Sequence, residues 1–198
     1  MFNFAEIRFP FKQFSVGADI ADSGIRITGL SRNIGGKIHV ECCQFFNNDQ
    51  FKNIVDIPFP WNKACVTAGI SDTQIIEKII LLGKNLSSKE ILQHCYIEME
   101  KHVLCSKEDL NLDYVVLKET LNNPKVQKIL CAAAKKSDIH ALLEIANQIP
   151  LKINIIDINS RVIEAFHQSK AEKFFIKEHP EFLLSYALAW RGYQGRRC

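Results

Sequence analysis

The stretch VGADIADSGIRITGL, residues 16–30, holds the side chains best suited to chemistry. Asp19 stands at the end of an apolar strand pattern. Asp22, Ser23 and Gly24 then form a small-residue turn before the pattern resumes. Such a hairpin can grip a phosphate, because the backbone N–H groups of a tight turn converge on an anion. It can equally do no more than reverse the chain. Asp22 adds a second negative charge beside the turn, which repels phosphate unless a cation intervenes. No Ser/His/Asp or Cys/His set stands out elsewhere, and the six histidines are dispersed. Asp56, Asp113 and Asp157 are candidate carboxylates that sequence alone does not bring together. The seven cysteines show no CxxC spacing. Cys42, Cys43, Cys65, Cys95 and Cys131 sit inside apolar patterns and read as buried, reduced thiols. Neighbours on a strand point to opposite faces, so Cys42 and Cys43 do not share a metal. The residues therefore point to no catalytic group and no metal site.

The elements that must position the hairpin follow from periodicity. FSVGADI (14–20), GIRITGLS (24–31) and KIHVECCQFF (37–46) read as a three-strand meander, with Ile25, Ile27 and Gly29 on one face of the second strand. NNDQFKNIV holds a short helix at most, and PFPW (58–61) is an extended connector. ACVTAGIS (64–71) is a buried strand. TQIIEKIIL (73–81) is another strand. A helix over 85–103 opens with the capping box Ser87/Glu90 and carries Leu92, Cys95, Met99 and Val103 as its stripe. DLNLDYVVL (109–117) and KVQKILCAAAK (125–135) are strands around the turn Asn122-Asn123-Pro124. A helix over 137–149, capped by Ser137, carries Ile139, Leu142, Leu143, Ala146 and Ile149. LKINIIDI (151–158) is a strand, and 159–175 a helix. HPEFLLSYALAWRG (179–192) is apolar nearly all round and so buried on most sides, with Pro180 in its first turn and Gly192 as the cap beyond its end. The tail YQGRRC reads as loose.

The 198 residues are 47% hydrophobic and 24% charged, enough for a sizeable core. A net charge of +3 is too small to argue for nucleic acid. No apolar run approaches the roughly 18 residues of a membrane span. The first residues, MFNFAEIRFPFKQF, lack the core of a signal peptide, so a cytoplasmic location is expected. Phe2, Phe4, Phe9 and Phe11 fit edge packing, and Arg191, Arg196 and Arg197 fit solubility, better than direct membrane insertion.

The order of these elements, with their local wording, resembles the first half of an actin-like (ribonuclease H-like) fold. VGADIADSGIRITGLS is similar to the opening hairpin of the type IV pilus assembly protein PilM family, actin-like relatives of the cell-division protein FtsA. SDTQIIEKIILLGKNLSSKEILQHCYIEMEKHV resembles the family's inserted strand and helix, and NLDYVVL its Leu-Asp-Tyr strand. ILCAAAKKSDIHALLEIANQIPLKINIIDINSRVIEAF resembles the segment that closes its first half. EFLLSYALAWRG is similar to its last helix. The likeness is collinear over most of the chain. It implies an α/β fold in which 1–69 begins a core subdomain, 70–149 is an inserted strand-helix-strand-strand-helix subdomain, and 150–198 completes the core with a closing helix. Family members continue for more than a hundred residues between VIEAF and the final helix. The resemblance therefore implies a shortened form without the second actin-like half.

In the resemblance, Asp19 matches the aspartate that faces metal and phosphate, and Asp22, Ser23 and Gly24 match the phosphate hairpin. Ala21 stands where the family has Gly, which crowds the approach to a phosphate. Nucleotide sites are concave, and half a cleft lacks the opposing wall. The function implied is a non-catalytic cytoplasmic adaptor of a type IV pilus, competence or type II-like secretion platform, peripheral to the inner membrane. It would bind the cytoplasmic tail of a PilN-like membrane protein in a groove between core and inserted subdomains. Leu92, Tyr96, Leu112, Tyr114 and Val116 are the expected groove residues. No cofactor, metal or nucleic acid is expected, and a homo-oligomer is compatible with this reading. The alternative is an actin-like ATP-binding protein or ATPase that holds Mg-ATP at the Asp19 hairpin.

Overall fold

A computed structural model describes residues 13–47, 50, 59–103, 105–117, 123–149, 151–169 and 174–194. The Phe-rich start, most of NNDQFKNIV, Pro58, Asn122, Arg196 and Arg197 lie outside the described residues. The chain divides into two units, one made of Met1–Ile70 with Leu143–Cys198 and the other of Ser71–Leu142. The second division falls inside the helix that follows the insert, where the sequence suggested a break after Ile149.

The first unit is built on a five-stranded mixed sheet. Strands β1 (Gln13–Ala21), β2 (Gly24–Arg32) and β3 (Ile38–Phe46) form an antiparallel meander. Strand β4 (Ala64–Ile70) runs parallel to β1, and β8 (Ile155–Ile158) parallel to β4, giving the order β3-β2-β1-β4-β8. Alternation places Val16, Ala18, Ile25, Ile27, Val66 and Ala68 on one face, all of them buried. Gly17, Thr28, Thr67 and Gly69 point the other way and receive a helix.

That helix, α5 (Leu183–Gly192), follows a 3-10 turn at Pro180–Phe182. Tyr186, Ala187, Leu188, Ala189 and Trp190 are all buried, in keeping with the absence of a polar face in the sequence. It lies almost in backbone contact with β1. A Cβ on Gly17 would come within 1.8 Å of the Ser185 carbonyl oxygen. Small polar residues fill the seam. The Thr28 and Ser185 hydroxyls are 2.7 Å apart, and Ser15 Oγ donates to the Cys65 carbonyl at 3.2 Å. Gly192 was expected to cap the helix from beyond its end, yet it is the last helical residue and Tyr193 forms the C-cap. Its smallness serves packing, because a Cβ there would meet Ser15 Oγ at 2.1 Å.

Helix α3 (Asn159–Gln168) packs Val162 and Phe166 against α5. Phe166 meets Tyr186 and Trp190 edge-on, at centroid distances of 5.4 and 5.7 Å. The helix expected to continue to 175 ends at Gln168, where Ser169 Oγ donates to the Phe166 carbonyl at 2.6 Å. A short α4 (Phe174–Glu178) follows. Strand β8 is shorter than the apolar run suggested. Asn154 precedes it and exchanges hydrogen bonds with Val66 through both its backbone N–H and its side-chain oxygen.

The second unit contains β5 (Ile75–Gly83), α1 (Ser88–Glu100), β6 (Leu110–Leu117) and β7 (Val126–Lys135). Its sheet is antiparallel in the order β5-β7-β6, so among the described residues β5 and β6 are the edges. The capping box is complete. Ser87 N–H donates to Glu90 Oε2 at 2.7 Å, and Glu90 N–H to Ser87 Oγ at 3.4 Å. The helix ends three residues before Val103, whose side chain still joins the core. Ile91, Cys95 and Met99 pack on Leu110, Ile129, Cys131 and Ala133. Leu92, assigned to the stripe, is half-buried, and Ile91 takes the inner position. Helix α2 (Lys136–Ala146) begins at Lys136, which puts Ser137 inside the first turn rather than at the cap.

Cys42, Cys43, Cys95, Cys105 and Cys131 are free thiols. The Cys131 thiol lies 2.8 Å from that of Cys95, and burial pushes its pKa up to about 12. Cys65 is disulfide-bonded, contrary to the reduced state expected, and its side chain at the start of β4 is only half-buried.

Candidate functional site

The Asp19 hairpin is built by the register of β1 on β2. Asp19 faces Arg26 across the ladder. The Arg26 guanidinium reaches its carboxylate at 3.8 Å and lies over the Phe45 ring at 4.9 Å. Burial raises the Asp19 pKa, and the Arg26 charge works against that rise. The carboxylate thus already has a cation from its own hairpin. Gly24 holds φ +137, and a Cβ there would strike the Phe46 carbonyl oxygen at 2.2 Å, so this turn demands glycine. Asp22 and Ser23 are exposed at its tip. Among the described residues no group of three His, Cys, Asp or Glu is placed to hold a metal ion. Asp157 is engaged by Arg191 Nε at 2.7 Å, an ion pair that ties β8 to α5. Asp113 accepts from the Tyr114 N–H at 2.8 Å. Asp56 lies outside the described residues.

The five expected groove residues all fall in the second unit. Leu92 and Tyr96 stand one turn apart on α1. Leu112, Tyr114 and Val116 alternate along β6 and therefore share one face of that edge strand. Tyr96, Leu112 and Tyr114 are half-buried against the core of the unit. The Tyr114 hydroxyl donates to the Ser88 carbonyl at 3.4 Å, and Lys107 Nζ lies 4.9 Å from the centre of the Tyr96 ring. Val116 is 42% exposed.

A second recess was not anticipated from sequence. A groove of about 390 Å³ follows β5, with residues 78–82 on one side and His94, Ile97 and Glu98 of α1 with its C-cap Lys101 on the other. Glu98 is clamped by Lys101 at 2.7 Å and Lys78 at 3.0 Å, and these hydrogen bonds hold its pKa down to about 2. The signal was present in the sequence. IIEKIILLG is apolar on both faces of its strand, and Ile97 lies off the buried stripe of its helix.

A model of the family described as type IV pilus assembly protein PilM matches residues 48–180, about two thirds of the chain. The chain belongs to this family. No curated protein matches it. A solved structure titled as a PilM-PilN type IV pilus biogenesis complex matches with a TM-score of 0.62 at 15% identity, covering 76% of this chain and 49% of that one. The cytoplasmic domain of EpsL, an inner-membrane component of the Vibrio cholerae type II secretion system, matches with a TM-score of 0.50 at 10% identity, covering 77% of this chain and 59% of that chain. The α/β fold is thus the actin-like one of PilM, and the chain spans about half the length of the PilM chain it matches. The Asp19 hairpin precedes the residues matched by the family model. No helix among the described residues is long and apolar enough to cross a membrane.

Proposed function

We propose that the chain is a non-catalytic adaptor on the cytoplasmic face of a type IV pilus, competence or related secretion platform, and that it binds the cytoplasmic tail of a PilN-like membrane protein. Membership of the PilM family carries this reading. The cluster of Leu92, Tyr96, Leu112, Tyr114 and Val116 beside the β6 edge supports it. These residues offer apolar surface next to a strand edge that has no strand partner among the described residues, as an extended tail requires. The test is calorimetric titration of the whole chain with synthetic tails of single-span membrane proteins encoded beside it. Micromolar binding, weakened at least about tenfold by Val116→Asp, is the expected outcome. No heat with any such tail would sink the reading.

An actin-like ATP-binding role is the second reading, favoured by the position of Asp19 at the end of β1 in an intact hairpin. The Arg26 pairing weighs against it, since an ionised aspartate already matched by a cation has less charge to offer a metal. Heat on titration with Mg-ATP, abolished by Asp19→Asn, would favour the nucleotide switch over the adaptor.

A further inference from the structure

The core of the second unit holds a pair of thiols that the tail-binding reading does not use. Cys95 sits near the middle of α1, and Cys131 on β7 meets it inside the core. The two sulfurs are 2.8 Å apart, although the residues lie 36 positions apart in the chain. A disulfide bond is about 2.05 Å long, so closing the pair needs an approach of roughly 0.8 Å. Both residues are fully buried, among Ile91, Met99, Leu110 and Ile129. Among the described residues no third His, Cys, Asp or Glu completes a metal-holding group with them. Strand β7 is the centre of its sheet, hydrogen-bonded to β5 on one side and β6 on the other. A covalent bond from Cys131 to α1 thus ties the helix to all three strands at once.

We propose that Cys95 and Cys131 form a redox latch, a dithiol that a small disulfide oxidant of the glutathione type converts to an intramolecular disulfide pinning α1 to β7. One protein thiol loses its proton, and its sulfur displaces a glutathione thiolate from glutathione disulfide, leaving a mixed disulfide. The second protein thiol loses its proton and attacks the sulfur of the first, which releases the other glutathione thiolate. The protein gives up two electrons and two protons, and two glutathione thiols carry them away. Burial gates the reaction. It raises the pKa of both thiols, and it keeps the oxidant out while α1 is docked. The latch therefore closes when the second unit opens locally, and once closed it holds the helix against further opening.

The test is disulfide mapping of the whole chain. The chain is held in glutathione disulfide, with and without urea below the unfolding transition, then alkylated and digested with trypsin without reduction. Cleavage after Lys89, Lys101, Lys107, Lys128 and Lys135 puts Cys95 in residues 90–101, Cys105 in 102–107 and Cys131 in 129–135. The expected product links 90–101 to 129–135, and it should form at least about tenfold faster in urea, where the unit opens more often. In the oxidised chain, exchange of the α1 amides should slow by at least about tenfold. Cys131→Ala should show no such slowing under the same oxidant. Where that variant is unstable, the map of the unaltered chain decides by itself. Both thiols still alkylated after oxidation in urea, glutathione left on either without a link, a preferred link to Cys105, or a rate that urea does not change would overturn the proposal. So would an oxidised chain whose α1 amides exchange as fast as those of the reduced one, because the bond would then hold nothing in place.

Discussion

The two units solve the problem of a sheet in opposite ways. In the first, the inner strands are buried on both faces, and α5 is set so close to β1 that only glycine fits at residue 17. In the second, one face is closed by α1, while Ile79, Leu81 and Val115 stand at least half exposed on the other, and among the described residues both edge strands lack an outer strand partner. A surface so arranged is what binding by strand addition requires, and the first unit has the makings of a scaffold. The difference leaves open apolar surface on the inserted unit and a close-packed seam in the first.

The sharpest way to break this comparison is to remove one large apolar side chain from each unit. Phe166→Ala deletes a fully buried ring from the α3–α5 seam and should cost about 3–5 kcal/mol in denaturant titration. Leu81→Gln removes an exposed side chain and should stay within about 0.5 kcal/mol. Equal losses would mean that the second unit is as closed as the first. A smaller effect belongs to the start of α1. Ser87→Ala removes the hydroxyl that accepts from the Glu90 N–H, while the N–H of residue 87 still donates to Glu90, and should cost about 1 kcal/mol. If that loss appears in hydrogen exchange of the second unit alone, the two units are separate in stability.

The smallest effect is an acid one. Glu98 has a folded pKa of about 2 against an ordinary 4.5, so its ionised form is favoured by the fold. Its contribution is present above pH 4.5 and is lost as the pH falls from there toward about 2. Glu98→Gln should lower stability slightly at neutral pH, by little because the group lies at the surface, and should flatten the profile between pH 4.5 and about 2 as the two proteins converge. An unchanged profile would show that the lysine clamp does not persist in solution.

Much of this fold was legible in the residues. The turn Asp22-Ser23-Gly24 between two alternating runs gave the hairpin, and Ser87 with Glu90 gave the start of α1, because both signals are local. The mistakes were of another kind. Gly192 reads as a helix cap from its neighbours, yet its smallness answers to Ser15, far away in sequence. Ser169 gives little sign that it ends a helix until its hydroxyl is seen on the Phe166 carbonyl. Asp19 reads as a ligand, and nothing in the local pattern singles out Arg26, which meets it across the ladder. The β5 groove was hidden for a different reason. An apolar run marks a strand as buried, whereas IIEKIILLG lies at an edge, and only the pairing order reveals that.

The seam between Gly17 and Ser185 also sets an order of events during synthesis. Residues 71–142 contain all the strands of their own sheet and can close as soon as they have emerged from the ribosome. The face of β1 and β2 that carries Gly17, Thr28 and Leu30 must wait for a helix encoded more than a hundred residues later. Contacts this distant slow folding, and the waiting surface is a sticky one. The inserted unit is thus ready first, and the core that carries it is the last part of the chain to become a native protein.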